Sequence, residues 1–224
     1  MTIKLYLIRH GKTKGNESGR YIGGRTDEPL SKMGKDELLE KSLKYGMLFD
    51  KDNSKDDYKL FSSPMLICIE TCSVLFPNKD IIQVPYCKEI DFGVFENHNY
   101  EELNGREDYQ RWIDSGGKSD YPNGEKLCDF IERNMKGANF IFGCLANGLR
   151  DKTCAELMEE KLDIISENAV TQGVLVCHGG TIMAIMSELK GGEYFDFQVK
   201  NGDGYFLEIE KEEESVSVIS YNRI

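Results

Sequence analysis

Two histidines carry the first chemical signal in this chain. His10 and His178 stand just beyond short apolar runs, LYLI and VLVC, and each is followed by glycine. Arg9 precedes the first of them, and Asn16 follows a few residues later. Glycine lets the main chain approach a ligand closely and leaves its N–H free to point at it. Arginine offers a planar fork that matches phosphate or carboxylate oxygens. Two imidazoles, a guanidinium, a carboxamide and a glycine N–H therefore suit a tetrahedral oxyanion. They suit zinc poorly, because the neighbouring guanidinium repels a dication and no third ligand is in evidence. The third histidine, His98, lies in the polar stretch ENHNY and reads as a solvated loop residue.

For this chemistry to work, the two histidines must be brought to one place. Short apolar runs at 3–8, 60–61, 81–84 and 174–177 predict strands. Between them the pattern predicts helices over 31–45, from Ser62-Ser63-Pro64 to about Phe76, over 100–114, and over 125–169 with an interruption at Asn147-Gly148. Residues 11–30 read as a long loop, and 179–189 as a helix opened by His178-Gly179-Gly180. The segments 205–210 and 215–221 read as a closing hairpin, with the acidic run at 212–214 as its tip. Strands alternating with helices predict an α/β fold, a three-layer α/β/α sandwich around a mostly parallel central sheet. In such sheets ligands bind outside the carboxyl ends of the strands, where both histidines fall.

At 224 residues the chain is long enough for one sizeable domain. Its net charge of −11, with no basic patch in the sequence, argues against nucleic acid and anionic membrane as partners. No apolar stretch approaches the ~20 residues needed to cross a bilayer, and the N-terminus lacks a signal-peptide pattern. Seven cysteines without a CxxC pair read as reduced and buried, so the expected location is cytoplasmic. Tyr109 and Trp112, three apart, read as packing.

LIRHGKTKGN, then SSPMLICIET, KEIDFGVFENHNYEEL, PNGEK and VCHGGTI, follow one another in an order that resembles the histidine phosphatase superfamily, also called phosphoglycerate mutase-like. The loop EIDFG is most similar to the broad-specificity and α-ribazole phosphatase branch. The resemblance implies a phosphoglycerate mutase-like fold and a phosphorylated small-molecule substrate, with neither cofactor nor metal. It implies that His10 is the nucleophile, that Glu89 donates and later accepts a proton, and that Arg9, Asn16, His178 and Gly179 hold the phosphoryl oxygens. Arg20, Gly23 and Asn201 would lie on the substrate side, and Glu96 would support the acid-bearing loop. A helical elaboration within 93–170, centred on 139–151, would narrow or cover the pocket of this single domain.

One position departs seriously. Where the pattern expects a phosphate-gripping arginine, the chain has Ile67, with the motif in step on both sides at Ser62-Ser63-Pro64 and Thr71. Losing one such donor costs about 3 kcal/mol of transition-state stabilisation, on the order of a hundredfold in rate. Lys12, Lys14 and Arg20 are the cations in range to compensate, although a lysine does not reproduce the fork. Phe95, Asn97, Lys126 and Cys177 are smaller departures. Three functions follow, in descending order: a weakened metal-independent phosphomonoester hydrolase, an impaired pseudoenzyme that binds a phosphorylated metabolite or protein, and a cofactor-dependent phosphoglycerate mutase. The sequence is silent on oligomeric state.

Overall fold

Alternation along the first strand sets the layers. In a computed structural model that describes residues 1–49, 58–147, 171–212 and 215–224, β1 spans Thr2–Arg9. Its Ile3, Leu5 and Leu7 enter one apolar cluster, while Tyr6 and Ile8 enter another on the opposite face. Val174 and Val176 of the neighbouring strand side with Tyr6, and Leu175 and Cys177 side with Leu7. This is the two-residue period of a sheet buried on both faces.

Four strands run parallel: β1, β2 (Lys59–Ser62), β3 (Ile81–Gln83) and β4 (Gln172–Cys177). β5 (Gly204–Lys211) joins β1 antiparallel, and β6 (Val216–Arg223) forms a hairpin with β5. The order across the sheet is β3-β2-β4-β1-β5-β6. The mixed α/β architecture read from the sequence is what the chain adopts. One face is covered by α2 (Lys32–Phe49) and α3 (Leu66–Leu75), which contribute Leu38, Tyr45, Cys68 and Cys72. The other is covered by α6 (Leu127–Asn147) and α7 (Gly179–Lys190) through Ala138, Ile141, Leu145, Ile182 and Ile185. Those positions recur every three or four residues, the stripe an amphipathic helix buries.

Several local expectations are corrected. The loop 11–30 contains a short helix, α1 (Lys14–Glu17), nucleated by a reciprocal capping box between Thr13 and Asn16. The helix expected over 100–114 is two, α4 (Tyr100–Leu103) and α5 (Glu107–Asp114), because Gly105 at φ 85° breaks it. Residues 139–147 do not cover the pocket. They complete α6, and Phe140, Ile141, Phe142, Cys144 and Leu145 pack in the core. Residues 148–170, including the rest of that expected elaboration and Cys154, lie outside the described residues, as do Glu213 and Glu214. Cys128 is exposed, unlike the other described cysteines. Among the described residues no helix is long and apolar enough to cross a membrane.

A third apolar cluster closes the side of the molecule beyond the strand ends. Ile90, Phe95, Leu103, Tyr109, Tyr121 and Phe130 form it, with Trp112 packed alongside. Tyr109 and Trp112 stack with centroids 6.0 Å apart, so they pack as expected. This cluster holds the segment 89–96 against the end of the sheet, the end at which both histidines fall.

Candidate active site

Sheet register brings the histidines together. β1 and β4 pair so that Ile8 faces Val176 and Arg9 faces Cys177. The His10 N–H extends that ladder by donating to the Cys177 carbonyl at 2.9 Å. The two imidazoles are thereby placed edge to face, with centroids 5.1 Å apart. Both are buried.

Their hydrogen bonds differ. His10 Nδ1 lies 2.6 Å from the Gly11 carbonyl, an oxygen that can only accept, so Nδ1 carries the proton and Nε2 keeps its lone pair. His178 Nε2 is engaged 2.8 Å from Ser63 Oγ, and Cys68 Sγ lies 3.6 Å away. Burial, with the Arg9 charge beside it, pulls the His10 pKa down to about 3. Burial and the His10 and Arg9 charges hold His178 well below the usual imidazole range. Both rings are neutral at pH 7; the Gly11 carbonyl fixes the His10 tautomer with Nε2 basic, whereas the Ser63 hydroxyl, which can donate or accept, does not fix that of His178.

Arg9 is held by one bond, from Nη1 to the Val199 carbonyl at 2.8 Å. Its Nε is buried with no partner among the described residues. A buried unpaired guanidinium N–H is costly unless a ligand completes it. A side chain at Gly179 would place a Cβ 3.3 Å from this Nε, so glycine there leaves the fork open. Asn16 Oδ1 accepts from the Thr13 N–H at 3.2 Å and from Asn201 Nδ2 at 3.4 Å. Its own Nδ2 has no partner among the described residues, so donors are what it can offer a ligand.

Glu89 enters from the opposite side. Its carboxyl accepts from the Ile90 N–H at 2.9 Å and the Gly180 N–H at 3.2 Å. It is 7% exposed, and burial pushes its pKa up despite those N–H donors and the nearby Arg9 and Arg133 charges. Burial favours the protonated form of this carboxyl, the form a general acid needs. Gly180 is required for this contact, since a Cβ there would fall 2.3 Å from Glu89 Oε1.

Arg133 of α6, a residue not singled out in the sequence, locks the Glu89 segment in place. Its guanidinium donates to the carbonyls of Tyr86 (2.7 Å), Lys88 (2.6 Å) and Glu89 (3.0 Å), and it grips Glu125 at 2.6 and 2.8 Å. Glu125 stands in the PNGEK segment, and that acid was the available hint. Ser63, read only as a helix entry, is the second omission.

Arg9, His10, Asn16, Glu89 and Gly179 line a cavity of about 230 Å³; His178, packed against His10, does not reach it. Arg20 does reach it. Tyr21, Ile22, Phe92, Met183 and Val199 form its apolar wall, with Gln198 beside them. Gly23 does not line it but lies beneath the loop, where a Cβ would meet the Ile90 carbonyl at 2.5 Å. Asn201 sits one layer behind, donating to the His10 carbonyl at 3.1 Å. A larger depression of about 690 Å³ opens on the far side of Arg9, but neither histidine reaches it.

Glu96 accepts from Thr26 Oγ1 at 2.6 Å and from the Arg25 N–H at 3.0 Å, which braces the loop. His98 is half-buried, with Nδ1 on the Glu96 carbonyl at 2.8 Å, and is therefore not the freely solvated residue expected. Ile67 is buried in the apolar layer beside Ile8 and Leu30 and does not line the cavity. Of the cations in range, Lys12 is paired with Glu37 at 2.7 Å and Arg20 with Glu102 at 2.8 Å. Among the described residues no group of three or more His, Cys, Asp or Glu could hold a metal ion.

Comparison with known proteins points the same way. The family model described as "Histidine phosphatase superfamily (branch 1)" matches residues 5–222. A probable phosphoglycerate mutase of Escherichia fergusonii is 25% identical over 176 residues, covering 78% of this chain and 73% of the relative. Phosphoserine phosphatase 1 of Hydrogenobacter thermophilus is 30% identical over 142 residues, covering 60% of this chain and 62% of the relative. In structure, a putative α-ribazole-5'-P phosphatase from Escherichia coli superposes with a TM-score of 0.70 at 19% identity, over 96% of this chain and 94% of that one.

Proposed function

Because the chain belongs to the histidine phosphatase superfamily, branch 1, we propose that it hydrolyses a small phosphomonoester through a phosphohistidine on His10, without a metal. The observation that carries this is the His10 tautomer: Nδ1–H is tied to the Gly11 carbonyl and Nε2 is bare beside an unsatisfied guanidinium. His10 Nε2 attacks phosphorus, the P–O bond to the leaving group breaks, and the departing oxygen takes the Glu89 proton. Water then attacks phosphorus, the P–N bond breaks with its electron pair returning to His10 Nε2, and the Glu89 carboxylate takes the water's proton. Inorganic phosphate leaves, and both residues return to their starting states. Arg9, Asn16, His178 and the Gly179 N–H stabilise the equatorial oxygens, where charge accumulates.

The mutase reading ranks below hydrolysis, since a second phosphate needs further free cations and Arg20 is already paired. The pseudoenzyme reading has one observation in its favour: the buried, apolar Ile67 in place of a guanidinium. A phosphate-release assay on phenyl phosphate, with mass spectrometry of alkaline-quenched protein, separates the possibilities. The expected result is slow, chelator-insensitive release and a phosphoryl adduct on His10, both lost in His10→Ala. An Ile67→Arg variant is expected to gain about a hundredfold in kcat/KM, while losing ~2 kcal/mol of stability from the apolar layer. Thermal stabilisation by vanadate with no release by the unmodified chain would instead select the pseudoenzyme.

A further inference from the structure

The cavity's far wall holds a cation that is already neutralised. Arg20 reaches the cavity, and its Nη1 and Nη2 each donate to a different Glu102 oxygen at 2.8 Å. Nη1 also donates to the Asn97 carbonyl. Glu102 is fixed independently of Arg20, as the third residue of α4. There it accepts from the Asn99 N–H at 3.2 Å, and its own N–H donates to Asn99 Oδ1 at 3.0 Å. Backbone pairing between Arg20 and Asn99 fastens the two segments together.

A substrate carboxylate that approached Arg20 would have to displace Glu102, exchanging one carboxylate for another. Exposed ion pairs are worth little to begin with, so the exchange gains almost nothing. Tyr21, Ile22, Phe92, Met183 and Val199 also line the cavity, and Gln198 adds an uncharged polar side chain there. The Tyr21 hydroxyl is engaged with Tyr109 at 3.0 Å, and its ring stands edge to face with Phe92 at 5.4 Å. The cavity's other cation, Arg9, lies beside Gly179 and the histidines, at the phosphate end.

We propose that Glu102 masks Arg20, so that the site selects phosphomonoesters with a small, uncharged, apolar leaving group over esters carrying a second anionic group. This rests on the catalytic pocket assigned above, and it is testable without turnover. His10→Ala protein binds without forming the adduct, so calorimetry gives dissociation constants for phenyl phosphate and 3-phosphoglycerate directly. Phenyl phosphate is expected to bind about tenfold more tightly. Glu102→Gln in that background keeps an oxygen for the Asn99 cap. It is expected to tighten 3-phosphoglycerate about fivefold while leaving phenyl phosphate unchanged. Adding Arg20→Ala should abolish that gain.

Tighter binding of 3-phosphoglycerate by the His10→Ala protein would overturn the proposal, as would an unchanged ratio in the Glu102→Gln variant with α4 intact by circular dichroism. If the binding preference holds while no phosphate is ever released by the unmodified chain, the masking stands and the hydrolase reading falls.

Discussion

The ends of β1 and β4 look alike in sequence, each with a histidine and a glycine after an apolar run, yet the fold gives them different work. After β1 the chain runs through a short loop into α1, and the Gly11 carbonyl takes the His10 Nδ1 proton. After β4 it enters α7 at once, with His178 as the residue before the first turn and its Nε2 engaged by Ser63. A carbonyl fixes the tautomer of one imidazole with Nε2 open, while a hydroxyl holds the Nε2 of the other. The motifs already imply different roles for the two, and the differing hydrogen bonds of their ring nitrogens supply a physical reason.

The sharpest way to break this comparison is to remove each ring in turn. His10→Ala is expected to lose all adduct formation and to fall by at least about 10⁴ in rate, since no other group lining the cavity offers an open nucleophilic nitrogen. His178→Ala should lose roughly 10²–10³, the scale of one stabilising donor, and should still form the adduct on His10. An adduct on His178 would reverse the assignment.

A pH series gives an effect of intermediate size. With His10 titrating at about 3 and Glu89 pushed upward, kcat/KM should stay flat into acid and decline on the alkaline side as Glu89 loses its proton. Stability should run the other way in acid. Below pH 6.5 the unfolded chain protonates these histidines while the folded chain refuses the proton, so the unfolded state binds more. Unfolding free energy should therefore fall by on the order of 1 kcal/mol per pH unit for His10, down to about pH 3, and further in the same direction for His178. A denaturant midpoint that is flat between pH 6.5 and 4 would contradict the buried, neutral state of both rings.

The smallest effect belongs to Ser63. Ser63→Ala leaves His178 Nε2 buried without its partner, which should cost about 1–3 kcal/mol of stability and only a few-fold in rate. A loss of rate as large as that of His178→Ala would make the hydroxyl a participant in its own right.

Much of this was legible in the sequence. Apolar runs placed the sheet; Arg9, His10, Asn16, Glu89 and Gly179 line one cavity, and His178 packs against His10 without lining it. What was not legible depends on contacts between segments far apart in the chain. Arg133 looks like any helical surface arginine until three carbonyls of the Glu89 segment are found on its fork. Asn201 acts through the His10 carbonyl and not through a ligand, and Gly23 serves the loop beneath the Ile90 carbonyl. The break at Gly105 was visible as a glycine, but an isolated glycine is often tolerated within a helix, and only its φ of 85° decides the matter.

The pairing of Arg9 with Cys177 has a further consequence. The reactive centre is made of two neighbouring strands whose residues are separated by most of the polymer, so no early, locally folded fragment can contain it. Phosphate release should therefore vanish along the same denaturant curve as the circular dichroism of the whole molecule, with no active remnant surviving the loss of β4 from the sheet.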